Sequence, residues 1–139
     1  MNFYDNRELS WLKFNKRVLE EAYDKNTPAF EKLRFLSIST SNLDEFYMVR
    51  VGSIMDRILI GDKTPDDKTG LSYEKQLEKI YKKTNEFYNE KEEIYDFGID
   101  ELSKNGLKLH KVSSLFGGKA EVMRKIYERR IRPLLSVQV

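Results

Sequence analysis

The densest chemistry in this chain lies between Ser37 and Val51, which reads Ser-Ile-Ser-Thr-Ser-Asn-Leu-Asp-Glu-Phe-Tyr-Met-Val-Arg-Val. Five small polar residues fall within Ser37 to Asn42, and helical spacing then begins, with Phe46, Met48 and Val49 set among Asp44, Glu45 and Arg50. A polar shelf that meets a helix N-terminus concentrates unpaired backbone N–H groups and positive dipole, which suits an anionic or hydrogen-bonding ligand. The simpler reading is structural. Asn42 followed at three residues by Glu45 is a capping-box pattern, and Ser41 with Asp44 offers a competing one.

Other reactive types are scarce. The chain has no cysteine, which excludes disulfides, thiolate metal sites and thiol nucleophiles, and its single histidine, His110, excludes a His-pair metal site. Net charge is +2, unevenly spread: Leu107 to Val139 holds eight Lys or Arg against Glu121 and Glu128, a local +6. Such a tail could face a polyanion, although a solvated helix face is the commoner explanation. Tyr81, Tyr88 and Tyr95 recur every seven residues and could in principle stack bases; without an interleaved basic stripe, core packing with the hydroxyls at the rim fits them better.

The elements that must position these residues are helical. At 139 residues, 40% hydrophobic and 35% charged, the chain is of single-domain size. No apolar run reaches the roughly 18 residues of a membrane span, and the first residues lack the basic and apolar regions of a signal peptide, so the expectation is a cytoplasmic protein. Asp5 with Glu8 marks a first helix that carries Leu9, Trp11, Leu12, Val18, Leu19 and Ala22 as far as Asp24. Thr27-Pro28 opens a second, with Phe30, Leu33, Leu36 and Ile38 as its apolar stripe. Ser39-Thr40-Ser41 predicts a break or bend near Asn42, with a third helix from Leu43 to about Ile60 burying Phe46, Val49, Ile54 and Ile58. Gly61 to Gly70 has loop composition and a length that suggests mobility.

After Ser72 the heptads Tyr81, Tyr88, Tyr95, Leu102 and Ile80, Phe87, Ile94 predict a helix to about Lys104, roughly 50 Å long, closed by Asn105-Gly106 and weakened by Gly98. Leu107 to Val112 alternates like an edge strand or connector. A final helix from near Lys119 carries Val122, Met123, Ile126 and Ile131 and ends at Pro133. The apolar tail after it has no stop signal, so a truncated chain is expected.

Two long stretches in the right order and separation go further. Asn6-Arg-Glu-Leu-Ser-Trp-Leu-Lys-Phe-Asn-Lys-Arg-Val-Leu-Glu-Glu-Ala and Leu33-Arg-Phe-Leu-Ser-Ile-Ser-Thr-Ser-Asn-Leu-Asp-Glu-Phe-Tyr-Met-Val-Arg-Val closely resemble the N-terminal domain of the long bacterial polyphosphate kinases. The resemblance implies an enzyme of four domains that reversibly moves the terminal phosphoryl group of ATP onto polyphosphate through a phosphohistidine in its C-terminal domains, aided by magnesium. His110 matches no catalytic motif of that family, so no catalytic residue and no metal ligand is expected in this chain, and the piece alone is expected to be inactive.

What the resemblance carries over is Asn42, which aligns with the family position that contacts the nucleotide. Its carboxamide has the donor and acceptor that reading an adenine edge needs. Asp44 and Glu45 would repel phosphate, which favours the base end of ATP against this domain. Arg7, Glu8, Trp11, Asn15 and Arg17 match the motif without an assignable chemistry, Trp11 as core or interface packing. The resulting expectation is an all-α antiparallel three-helix bundle, spectrin-repeat-like, over residues 1–106, with 107–139 as connector and start of a head domain. Implied partners are ATP, polyphosphate, the downstream domains and a second copy in a homo-oligomer, without nucleic acid, and the full enzyme is compatible with peripheral attachment to a membrane. The competing class is a helical docking module with no ligand contact.

Overall fold

The computed structural model describes residues 4–136 and is all-α, with no strand among them. It divides into two compact units, one ending at Gly106 and the other beginning at Leu107. In the first, α1 (Arg7–Glu20) runs on through a short 3-10 turn at Glu21–Tyr23. It starts one residue later than the Asp5/Glu8 pattern predicts, because the side chain of Asn6 caps it by accepting from the N–H groups of Glu8 and Leu9.

The expected break at Asn42 is absent. α2 (Ala29–Phe46) passes straight through the serine-rich stretch, continues as a π-helical turn (Tyr47–Val51) and leads into α3 (Gly52–Leu59). Its hydroxyls do not compete with the helix because they turn back onto it: Ser39 Oγ and Thr40 Oγ1 both donate to the carbonyl of Leu36, at 3.0 and 2.7 Å. Asn42 is therefore an interior helix residue and not an N-cap, and the capping boxes do not form. Pro28 precedes α2 as its cap residue instead of occupying the first helical position.

The π-turn accounts for a second departure. An extra residue in one turn shifts the buried stripe, so after Phe46 the next inward residue is Val51, 4% exposed, while Val49 is 59% exposed. Tyr47 anchors that turn by donating to Thr84 Oγ1 at 3.0 Å, and burial raises its phenol pKa above the ordinary value against the opposing effect of that bond.

α4 (Tyr73–Lys104) is capped by Ser72 and ends where Gly106 takes a φ of +89°. Its inward line is Ile80, Thr84, Phe87, Ile94 and Gly98, and Tyr81, Tyr88 and Tyr95 flank it half exposed rather than forming the seam. Cross-links fix the helix directions. Asn15–Ser39 and Glu8–Arg50 run in opposite senses along α1 and α2, as do Lys32–Glu101 and Tyr47–Thr84 along α2 and α4, so the α2–α3 arm is antiparallel to both α1 and α4. Between the arms lies a core that includes Leu19, Leu36, Leu43, Phe46, Ile80 and Phe87.

Gly98 does not fray α4; it lets α2 approach. A Cβ placed there would lie 3.1 Å from Cδ2 of Leu33. Gly98→Val is expected to cost about 2 kcal/mol by overpacking, despite removing a flexible helical glycine. Urea unfolding followed by circular dichroism reads this as a lower midpoint, and an unchanged midpoint would contradict so close an approach.

In the second unit, Leu107 to Lys111 is an irregular connector rather than a strand, with His110 exposed in it. A 3-10 turn (Val112–Ser114) precedes α5 (Gly118–Ile126), which passes through a π-helical turn (Tyr127–Ile131) into a final 3-10 turn containing Pro133. The last three residues of the apolar tail lie outside the described residues.

Candidate functional site

Polar and aromatic side chains alternate across the seam between α1 and the α2–α3 arm in three rungs. Helical spacing puts Glu8, Trp11 and Asn15 on one face of α1, at i, i+3 and i+7. Opposite them stand Arg50, Phe46 and Asn42, in reverse order because the helices are antiparallel. Arg50 Nη1 lies 3.6 Å from Glu8 Oε1, the Trp11 and Phe46 rings stack with centroids 4.4 Å apart and planes 10° from parallel, and Asn42 Nδ2 donates to Asn15 Oδ1 at 3.1 Å.

These rungs border an open cleft of about 1000 Å³. Its far wall is Pro65, Asp66 and Asp67 of the loop after α3, together with Tyr73 and Gln76 at the start of α4. That loop is not left free, as its length suggested. Asn6, 1% exposed, donates from Nδ2 to Asp66 Oδ2 at 3.1 Å and to Gln76 Oε1 at 3.0 Å. Asp66 in turn accepts from the Thr69 hydroxyl and backbone N–H, and those bonds, with Asn6, hold its carboxyl below the usual carboxylate range.

Inside the cleft, Glu8 is buried, and while Oε1 accepts from Arg7 Nε at 3.1 Å, Oε2 has no hydrogen-bond partner among the described residues. Asn42 is half buried, with one N–H committed to Asn15, and the remaining N–H and the carbonyl oxygen are not bonded to protein in any described contact. Glu45 lines the cleft beside it, whereas Asp44 does not. The site thus offers the Trp11–Phe46 pair, an amide with donor and acceptor, one carboxylate, Glu45, beside that amide, and the guanidinium groups of Arg7, Arg50 and Arg57 further along the cleft. The amide has the donor and acceptor that a heteroaromatic base edge uses, and the arginines are groups that suit an anion. No cluster of three or more His, Asp or Glu suited to a metal ion occurs among the described residues.

The sequence pointed to Asn42 but not to its setting. Arg50 follows Asn42 and Phe46 at steps of four, a spacing that puts all three on one helix face, and it sits in the π-turn, a feature that recurs at functional sites. Asn15 and Glu8 had a readable signal. Both are polar residues that continue the stripe of Leu12 and Leu19, which a bundle of purely structural purpose fills with apolar side chains.

Known proteins share this sequence closely. The model of the polyphosphate kinase N-terminal domain matches residues 4–110. The polyphosphate kinase of Staphylococcus epidermidis is 40% identical over 134 residues, covering 96% of this chain and 18% of that protein. The polyphosphate kinase of Halalkalibacterium halodurans is 39% identical over 135 residues, 96% of this chain and 19% of its own length. That of Staphylococcus haemolyticus reaches 48% over 100 residues, 72% of this chain and 14% of its own. The chain therefore spans about a fifth of the length of such curated relatives.

Proposed function

The chain belongs to the polyphosphate kinase N-terminal domain family, and from that premise we propose that it is the nucleotide-contacting part of an enzyme that reversibly transfers the terminal phosphoryl group of ATP to polyphosphate. The observation that carries this reading is Asn42, half buried beside the Trp11–Phe46 stack in the cleft, with an amide oxygen and one N–H turned away from Asn15. In this reading the adenine lies against Asn42 and the triphosphate leads away from Glu45 to other parts of the longer protein. Those parts supply the histidine nucleophile and the magnesium, because His110 sits exposed on a connector far in sequence from the cleft residues. Residues 1–106 are then the N-terminal helical domain, and 107–139 the connector and beginning of the head domain.

Asn42→Ala in the full-length phosphotransferase is expected to raise KM for ATP about tenfold with little change in kcat, the mark of binding energy shared by ground and transition states. If KM and turnover both stay at wild-type values, the ligand role of Asn42 is wrong. One observation favours a docking module instead: Met48, Leu59 and Ile60 are each at least 74% exposed on the α2–α3 arm. The same variant separates the two readings, since docking through those residues does not involve the Asn42 amide.

A further inference from the structure

Asn15 is completely buried in α1, on the same stripe as Leu12 and Leu19, and it does not line the cleft. Its side chain makes two hydrogen bonds. Nδ2 donates to the main-chain carbonyl of Ser39 at 2.9 Å, and Oδ1 accepts from Asn42 Nδ2 at 3.1 Å. The first bond determines the second. A carbonyl can only accept, so the Asn15 amide must turn its nitrogen to Ser39, which leaves its oxygen facing Asn42. An oxygen there requires a donor, so Asn42 must present its nitrogen inward. Ser39 O is part of the helix backbone and cannot flip, and the orientation of both amides follows from it.

We propose that Asn15 is a positioning residue for nucleotide selectivity: it locks the Asn42 amide so that a carbonyl oxygen and one N–H face the cleft in a fixed order, matching the exocyclic amine of adenine and the ring nitrogen next to it. This rests on the reading of Asn42 as a nucleotide contact and adds to it the reason for preferring one base. Adenine presents a donor at its 6-position and an acceptor beside it, and asparagine pairs with that arrangement through both amide groups. Hypoxanthine, its 6-oxo counterpart, presents an acceptor at the same position. Against a locked Asn42 two oxygens then face each other, while an amide free to turn about Cβ–Cγ can offer its N–H instead. A site that holds a hydrogen-bonding group in place rejects the mismatched analogue, and one that can reorient does not.

The test measures kcat/KM for ATP and for ITP in the full-length enzyme, wild type beside Asn15→Ala, Asn15→Asp and Asn42→Ala. The wild-type enzyme is expected to prefer ATP. Asn15→Ala is expected to lower that preference about tenfold. Asn15→Asp is expected to keep it, because a carboxyl still accepts from Asn42, and when protonated it also donates to Ser39 O. The preference is a ratio carried by active molecules alone, so partial unfolding does not move it. If Asn15→Ala gives no active protein, Asn15→Leu fills the space without an acceptor and is read the same way. A wild-type enzyme that uses ITP as well as ATP overturns the proposal outright. A preference that survives Asn15→Ala or Asn15→Leu but falls in Asn42→Ala overturns the positioning role and leaves the nucleotide contact standing. A KM and preference untouched by Asn42→Ala remove the contact itself.

Discussion

Asn6→Ala is expected to destabilise the helical unit by about 3 kcal/mol, more than a surface substitution at a chain end ordinarily costs. Two losses combine. Removing the side-chain oxygen that accepts from Glu8 N and Leu9 N deletes the cap of α1, worth about 1 kcal/mol. Removing the amide nitrogen leaves Gln76 Oε1 and Asp66 Oδ2 without a donor they now share, and stranding a buried acceptor costs about 1–3 kcal/mol. Asn6→Asp separates the two effects. It keeps the cap, with a charge that the helix dipole favours, yet it turns a carboxylate toward Asp66. Its expected stability at neutral pH is therefore below wild type, and it recovers part of the loss as the pH falls and one of the facing carboxyls takes a proton. Urea unfolding with far-ultraviolet circular dichroism gives the stability, and fluorescence of Trp11, the single tryptophan, reports the cleft. Equal midpoints for wild type and Asn6→Ala would show that the clip between α1, the loop and α4 carries no weight.

How far the sequence shows this architecture depends on whether the determining interaction is local. α4 is legible from end to end, because the Ser72 cap, the seven-residue repeat and the Asn105-Gly106 exit all act within a turn of the chain they affect. Its inward face is legible only in part. Two parallel heptads lie one residue apart, and the choice of Ile80, Phe87 and Ile94 over the tyrosines depends on which partner the helix meets. Asn42 shows the opposite case. Its local signal is a cap, and the continuous helix prevails because α2 gains burial on both sides of the serines, with Leu36 and Leu43 each almost fully enclosed.

The π-turn has no sequence signature of its own, so the switch from Val49 to Val51 could not be anticipated from helical periodicity. Gly98 reads as a weakness from composition and is a contact surface in the fold, because Leu33 packs against it. The family resemblance supplied what local physics could not, a reason to treat Asn42 as more than a structural amide. The packing adds what the resemblance left open for Asn15, a hydrogen bond that ties it to Asn42.

The other large effect is expected at Lys32, and it is asymmetric. Lys32 is 2% exposed, with its ammonium 3.2 Å from Glu101 Oε2 and 4.9 Å from the centre of the Phe97 ring. Enclosing an ammonium is costly, and here the cost is offset by one carboxylate and one aromatic face. Glu101→Ala removes the carboxylate and leaves the cation enclosed, which is expected to destabilise the unit by about 3 kcal/mol, at the lower end for a broken buried pair because Glu101 is itself one-third exposed. Lys32→Met removes the charge but keeps a long apolar stem beside Phe97, and replacing a buried ion with a fitting apolar chain is often neutral. The double variant is therefore expected to recover most of the stability lost in Glu101→Ala, so the cycle yields a large coupling between two residues on different helices. If Lys32→Met proves as damaging as Glu101→Ala, the ion pair itself stabilises the contact between α2 and α4, and relief of an enclosed charge is the wrong account of this corner.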